Sequence, residues 1–474
     1  MLTLRHYQQT AVDGIRESFR TGRKAPLLVL PTGGGKTIVF SYIAANASAR
    51  GKRVLVLVHR IELMRQTSDK LRQFGVDHGL INPLFTPTYW KPVQVASVQT
   101  LVRRLNKLAA TPPDLIIVDE AHHATAGTWR TIINAYPNAL VLGVTATPCR
   151  GDGTGLGRDA GGMFDDLITG PQVADLIKEG FLVAPKVYAP LERLDLSGLR
   201  TRMGDYEKQE LERAVDKPRI TGHAVEHYRK LCPGAPAVAF CVSIAHAEHV
   251  AAEFNAAGFR AVALDGSHDD DYRKRILKGL GTGEVHVVTS CDLISEGTDI
   301  PAIGCAILLR PTQSLGLYLQ QVGRALRPCE GKDHAVVLDH VGNVLTHGMP
   351  DDPRDWTLDG EEKRSRGAKS EPTIRVQQCE QCFAVHPPAP MCPHCGHVKA
   401  VESRAPEQVD GQLEEITAMN RAALRRQQNA EVAKAKTREE LERIAAARGY
   451  KPGWVAHILR SREANRLQAQ VMGR

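Results

Sequence analysis

Residues 27–40, LLVLPTGGGKTIVF, decide how this chain is read. An apolar run stops at Pro31, three glycines follow, then Lys36 and Thr37, and apolar residues resume. The pattern predicts a short buried parallel strand, a tight turn and a helix. Glycines let successive backbone N–H groups converge with no Cβ in the way, and the helix N-terminus adds partial positive charge at the same point. Thr32, Gly33, Gly34 and Gly35 are therefore candidates to cradle phosphates. Lys36 would reach the β- and γ-phosphates, and the Thr37 hydroxyl would ligate Mg²⁺. The usual spacing, G-x-x-x-x-G-K-[ST], places a glycine where this chain has Leu30.

A second stretch, LIIVDEAHH (115–123), strengthens the reading. An apolar strand ends in Asp119 and Glu120 at the C-terminal edge of a sheet, where open α/β sheets bind ligands. Asp119 would hold Mg²⁺, directly or through water, and Glu120 would polarise an attacking water. Strand signals at 27–30, 54–58, 93–97, 115–118 and 140–144 alternate with helical ones, as in a parallel sheet covered on both faces. A more polar stretch follows, and the alternation restarts in APAVAFCV, RAVALDG, VHVVTS, CAILLR and HAVVLDH. The expected organisation is an α/β domain at 1–185, a connector at 186–216 and a second α/β domain at 217–348. A linker at 349–378 and a cysteine cluster at 379–397 follow, and then a helical tail at 398–474.

The chain has 474 residues, room for about three domains. Its apolar and charged fractions, 42% and 24%, are ordinary for a globular protein. No apolar run approaches the length of a membrane helix, and MLTLRHYQQT lacks a signal-peptide core, so a cytoplasmic protein with no membrane partner is expected. Cys149, Cys232, Cys241, Cys291, Cys305 and Cys329 are scattered and expected to be reduced. The other four are spaced Cys379-x₂-Cys382-x₉-Cys392-x₂-Cys395, which suits tetrahedral thiolate ligation of a structural Zn²⁺. So short a segment buries no core of its own, and the metal would supply its folding energy. His386, His394 and His397 lie close enough in sequence to substitute as ligands.

Net charge is +8, and the segment from Arg421 onward holds 13 Lys+Arg against 5 Asp+Glu, so the tail carries the basic excess. A basic tail on a neutral body suggests an anionic polymer partner. TREELERIAAARGYKPGWVAHILRSR reads as a two-helix hairpin with Leu441, Ile444 and Ala445 before the break and Trp454, Val455, Ile458 and Leu459 after it. It could bind duplex backbone or a protein partner, with Trp454 a core anchor. The glycine-rich GDGTGLGRDAGG (151–162) reads as a long flexible loop.

The chain resembles the superfamily 2 helicases and translocases over roughly residues 1–345. PTGGGKT is similar to their motif I, and Asp119-Glu120-Ala121-His122 to the DEAH form of motif II. LRHYQ (4–8) resembles the adenine-reading motif, with Gln8 as the base contact. VHRIELMRQ (58–66) and SVQTL (97–101) resemble motifs Ia and Ib, which implies that His59, Arg60, Gln99 and Thr100 lie on the nucleic-acid side. TATP (145–148) resembles motif III. SEGTDIP (295–301) resembles motif V, with Gly297 and Asp299 toward ATP. QQVGRALRP (320–328) resembles motif VI, which implies that Gln320, Arg324 and Arg327 act in catalysis, the arginines as fingers supplied by the second domain.

The resemblance implies two tandem RecA-like domains, ATP and Mg²⁺ as cofactors, and an ATP-dependent helicase or translocase. The forms of motifs I, III and VI are more similar to DNA-acting members than to RNA helicases. TPCRGDGTGLG, DWTLDG and the four-cysteine cluster resemble RadD-type bacterial or phage DNA-repair ATPases. The alternatives are a restriction-system motor subunit, an ATP-switched DNA-binding or remodelling protein that does not translocate, and an RNA helicase.

Overall fold

The computed structural model describes residues 3–124, 127–150, 153–190, 200–202, 205–215, 218–291, 303–359, 376–379, 381–398, 432, 435, 437–447, 455, 458 and 459. Residues 1–400 and 401–474 form separate compact units.

The first sheet of the larger unit contains β1 (Pro26–Val29), β2 (Val54–Val58), β3 (His78–Ile81), β4 (Val93–Ser97), β5 (Leu115–Asp119), β6 (Leu140–Thr145) and β7 (Asp166–Thr169). Their order is β3-β4-β2-β5-β6-β1-β7, and every pairing is parallel. The central strands are buried along their whole length, because helices cover both faces. All five expected strands are present. The two that sequence patterning missed, β3 and β7, are the edges, where HGLI and DLIT are only partly buried and carry polar residues.

The second sheet begins earlier than the connector boundary implied. Lys186 was placed in the connector, yet it lies inside β8 (Ala184–Tyr188), paired with Val336 in a neighbouring parallel strand. A small hairpin, β9 (Thr201–Arg202) and β10 (Asp205–Tyr206), follows. The sheet continues with β11 (Ala237–Phe240), β12 (Ala261–Leu264), β13 (Val287–Ser290), β14 (Cys305–Leu308) and β15 (His334–Asp339). Two short strands, β16 (Gln377–Gln378) and β17 (Val385–His386), extend it, giving the order β12-β13-β11-β14-β15-β8-β17-β16. The fold is two tandem RecA-like α/β domains, with the cysteine cluster docked as a hairpin on the second sheet through the pairing of Val385 with Val187.

Two segments expected to be loose are packed. Within the glycine-rich loop, Leu156 is fully buried, and the Gly157 N–H donates to the Leu358 carbonyl at 2.8 Å. The start of the linker returns from the second domain to the first. Trp356 and Leu358 pack against the core of the first domain. Gln172 brackets Arg354, donating to its carbonyl at 2.9 Å and accepting from its N–H at 3.3 Å. Apolar side chains inside a polar, Pro-rich stretch give no periodicity, so the sequence signal was masked.

The smaller unit contains the helix Arg438–Ala447. Thr437 and Glu440 cap it reciprocally: the Glu440 N–H donates to Thr437 Oγ1 at 3.2 Å and the Thr437 N–H to Glu440 Oε2 at 3.0 Å. Leu441 is buried, with Ile444 and Ala445 partly so. Trp454 lies outside the described residues, as does most of the expected second helix. No helix among the described residues is long and apolar enough to cross a membrane.

Leu30 explains its own exception to the phosphate-loop spacing. It extends β1, its N–H donates to the Thr145 carbonyl at 3.0 Å, and its side chain is fully buried. Space for it comes from Gly170, where a Cβ would stand 2.2 Å from Leu30 Cδ2. Gly170→Ala should therefore destabilise the fold by about 1–3 kcal/mol through overpacking. Adding Leu30→Ala should recover part of that loss. A double-mutant cycle by urea unfolding measures both, and additive losses would refute the pairing.

Candidate active site

The turn between β1 and the helix Lys36–Ala49 is built as its glycines require. Gly33 and Gly35 adopt left-handed backbone, at φ 87° and 83°. Gly35 is the helix N-cap, and a Cβ there would lie 2.4 Å from Gln8 Nε2. Gln8 is buried; its amide donates to the Gly34 carbonyl at 3.3 Å and its Oε1 accepts from the Arg5 N–H at 3.0 Å. The Tyr7 hydroxyl donates to the same Gly34 carbonyl at 3.0 Å. Phe181 stacks beside this corner, with the Arg5 guanidinium 4.3 Å from its ring centre and Tyr7 5.4 Å away. Thr32, Lys36 and Thr37 lie on the same turn and first helical residues.

Asp119 and Glu120 sit at the C-terminal end of β5, both buried. Burial first, and then the neighbouring Glu120 charge, push the Asp119 carboxyl up to about 7, against the pull of Lys36. A buried carboxylate held this way favours a cation beside it, as a phosphate-bound Mg²⁺ would supply. Glu120 occupies left-handed backbone at φ 49°, costly for a side chain with a Cβ. That turn places its carboxylate 3.4 Å from His122 Nδ1. His122 Nδ1 also lies 3.1 Å from Thr145 Oγ1, whose hydroxyl donates to the Thr147 carbonyl at 2.8 Å. Motif II is thereby tied to the TATP segment, a link through Thr145 that sequence reading did not assign.

His59, Arg60, Gln99 and Thr100 come together at the ends of β2 and β4. The Gln99 side chain donates to the His59 carbonyl at 3.3 Å and accepts from the Ser97 hydroxyl at 2.8 Å. Arg60 is the N-cap of the helix Ile61–Gln73, and Thr100 is buried. The His59 ring meets the His123 ring at 4.7 Å, and its charge acts on Asp119. His59 thus adjoins motif II as well as motif Ib.

The second domain brings the helix Leu315–Ala325 against this surface. A Cβ on Gly323 would stand 2.5 Å from Thr32 Cβ, and one on Gly316 would stand 2.9 Å from Thr147 Oγ1. Only glycine lets the helix approach so closely. Gln320 and Arg324 are buried on it, and the Arg327 side chain passes beside Gly33. Asp205, in the connector, anchors the loop before the helix: it accepts from Thr312 Oγ1 at 3.0 Å and from the Gln313 N–H at 2.9 Å. Farther along the interdomain groove, Arg273 pairs with Glu62 at 3.0 Å, and Arg65 pairs with Asp270. Neither pair was legible in sequence, because charges there carry no periodic signal. Gly297 and Asp299 lie outside the described residues.

The four cluster cysteines bring their sulfurs within 4.8 Å of one another, with Cys379–Cys395 at 3.6 Å and Cys382–Cys392 at 3.7 Å. Thiolates sharing one zinc at about 2.3 Å stand close to this distance apart. Each C-x-x-C is followed by a residue in left-handed backbone, Phe383 (φ 61°) and Gly396 (φ 73°). Their N–H groups fold back onto the carbonyls of Cys379 and Cys392, both at 2.9 Å. The Cys382 N–H draws the Cys379 thiol down to about 6, toward the thiolate a metal needs. The donor set fits a structural zinc, and no histidine belongs to it among the described residues.

Three families match along the chain: the Type III restriction enzyme res subunit at 1–150, the helicase conserved C-terminal domain at 223–329, and the ChsH2 rubredoxin-like zinc ribbon at 366–402. A "51.5 kDa protein" of a Lactococcus phage is 35% identical over 79% of this chain and 78% of its own. The putative ATP-dependent helicase IRC3 of Saccharomyces cerevisiae is 30% identical over 72% of this chain and 51% of its own length. This chain therefore spans about half of that relative. Among solved structures, a fragment of a putative HsdR subunit of a type I restriction enzyme from Vibrio vulnificus is 25% identical, with a TM-score of 0.58. It aligns over 74% of this chain and 67% of its own.

The raised Asp119 carboxyl has a consequence in solution. Were Asp119 a Mg²⁺ ligand, protonating its carboxyl would weaken the site, so affinity should fall as pH drops through about 7. The Mg²⁺ concentration for half-maximal ATP turnover should rise accordingly between about pH 7.5 and 6. In Asp119→Asn it should be high and flat with pH, and a pH-independent requirement in the unmodified protein would refute the Asp119 assignment.

Proposed function

The chain belongs to the superfamily 2 helicases, and we propose that it is an ATP-dependent DNA translocase or helicase driven by opening and closing of its two RecA-like domains. The observation that carries the reading is the approach of the Leu315–Ala325 helix to the phosphate loop, Gly323 on Thr32. It brings the helix that carries Arg324 against the phosphate loop and Arg327 beside Gly33, which supports a composite site that forms only when the domains meet.

Lys36 and the loop N–H groups hold the phosphates of ATP. Thr37 and Asp119 are the residues that would hold Mg²⁺, which when bound neutralises phosphate charge. Glu120 accepts the proton of the attacking water, with its carboxylate oriented by His122. Arg324 and Arg327 stabilise the charge spread over the transferring phosphoryl group. Gln8, with Tyr7, braces the loop through Gly34 and offers its amide to the base. Gly297 and Asp299 are assigned to the same site from their motif alone. Loss of the arginine contacts after turnover reopens the cleft, and His59, Arg60, Gln99 and Thr100 face the nucleic acid at one end of it.

DNA is favoured over RNA by the forms of motifs I, III and VI and by the likeness to restriction-enzyme subunits, enzymes that act on DNA. That likeness also supports a second reading, a motor subunit that works with a partner chain. A role in repair or phage replication follows from the RadD-type resemblance. The cysteine cluster holds zinc and stiffens the edge of the second sheet, and the basic tail adds phosphate contacts or a protein docking site. The unpaired thiolates of a zinc cluster suit a reducing cytoplasm.

ATP turnover measured with single-stranded, duplex and forked DNA, and with RNA of the same sequence, tests the reading. DNA should stimulate and RNA should not. Glu120→Gln should bind ATP normally while turnover falls by about a hundredfold or more, and Arg327→Ala should lose turnover with little change in ATP affinity. Near-normal turnover in Glu120→Gln would sink the general-base role. A chain ending near residue 400, which keeps the packed Arg354–Leu358 stretch and the cysteine cluster, should bind DNA more weakly and with a shallower salt dependence, because it neutralises fewer phosphates. An unchanged salt slope would assign the tail to a protein partner.

A further inference from the structure

Lys332 lies on the turn between the helix Leu315–Ala325 and β15, outside every motif described above. Its Nζ donates to the main-chain carbonyls of Ile303 and Arg327, each at 2.7 Å, and to that of Ala325. An ammonium has three N–H donors and no acceptor, so these three carbonyls use its whole capacity. The Ala325 carbonyl is one that the end of the helix leaves without an intrahelical partner, at the negative pole of its dipole, and Arg327 follows two residues on. Ile303 stands just before β14, on the chain leaving the segment 295–301.

We propose that Lys332 is a positioning residue for the two arginines. It fixes the backbone from which Arg324 and Arg327 project, and it ties that backbone to the exit of the segment resembling motif V. The inference rests on the reading of those arginines as stabilising the transferring phosphoryl group. Gly323 sets how near the helix comes, and Lys332 sets how its C-terminal end is aimed. A misplacement of about 1 Å there is enough to cost roughly a hundredfold in rate.

The charge is kept in an unfavourable place. Burial lowers the Lys332 ammonium from 10.5 to about 8, with the Cys329 thiol on the same turn acting the other way. The other titratable groups around it are Asp333 and His334 beside it in sequence and Lys186 of β8, which faces His334. Arg324 and Arg327 stand on the helix side. The unfolded chain binds this proton more tightly, so between about pH 8 and 10.5 the contribution of Lys332 to stability rises with pH. Its positioning charge is lost as pH rises through about 8, so from there upward stability rises while turnover falls.

Steady-state ATP turnover of the full chain with saturating DNA, between about pH 7 and 9.5, tests this in the unmodified protein, Lys332→Met and Lys332→Arg. Lys332→Met should lower kcat roughly tenfold or more while the KM for ATP stays within about threefold. Lys332→Arg should restore most of kcat at pH 7 and remove the fall above pH 8, because a guanidinium stays charged there. Melting temperatures over the same pH range separate loss of aim from loss of fold. If Lys332→Met does not fold, the Lys332→Arg profile decides alone. Unchanged kcat in Lys332→Met, or an alkaline fall that persists in Lys332→Arg, would overturn the proposal. An unmodified chain without turnover on any nucleic acid would overturn the functional reading as well, and so is distinguishable.

Discussion

The close approach of Gly323 to Thr32 constrains everything else at the cleft. A Cβ at Gly323 would overlap Thr32, and one at Gly316 would press on the Thr147 hydroxyl, so a side chain at either would push the domains apart. At that spacing the cations of the second domain would no longer meet the phosphate loop of the first. The rest of the second domain serves this contact. Asp205 pins the loop before the helix, Lys332 pins the turn after it, and the hydrogen bonds of β14 and β15 hold both ends to one rigid sheet.

Charge in the site is arranged by burial. Asp119 and Glu120 are adjacent and both shielded from water, and burial together with the Glu120 charge raises the cost of ionising Asp119. Lys36 offsets only part of that cost. The pair is therefore short of positive charge on its own, and a bound Mg²⁺ is the cation that would supply it. His122 and Thr145 link Glu120 to the Thr147 backbone, and the Thr147 side chain lies against the helix Leu315–Ala325 at Gly316. The left-handed backbone of Glu120 is the strained element in this relay.

Much of this was legible in the sequence, for a physical reason. Fully buried parallel strands read as continuous apolar runs, so the strands expected at 54–58 and 93–97, and those in APAVAFCV and HAVVLDH, are present. Phosphate-binding turns need glycine at fixed places, so Gly33 and Gly35 were identifiable by type. Edge strands such as His78–Ile81 carry mixed polarity and left no such trace. Tertiary accommodation was equally silent: nothing in the sequence around Leu30 points to Gly170, and nothing in DDPRDWTLDG says that Trp356 returns to the first domain. Lys332 had the appearance of an ordinary surface lysine, because its meaning lies in three carbonyls spread over 24 residues.

The interdomain ion pairs show how such a contact can be firm and still reversible. Arg273–Glu62 and Arg65–Asp270 bridge the helix Ile61–Gln73 of the first domain and the helix Asp270–Thr282 of the second. They are partly exposed, where an ion pair is worth about 1 kcal/mol or less. Pairs of that size hold a preferred register of the groove but yield to binding at either end. The helix Ile61–Gln73 begins at Arg60, next to the Gln99–His59 contact, and His59 in turn bears on Asp119. A ligand that shifts this helix therefore acts on both the groove and the carboxylate pair, with no long chain of side chains between them. In the proposed motor, that short path would let nucleic acid in the groove and nucleotide at the loop bias the same domain movement.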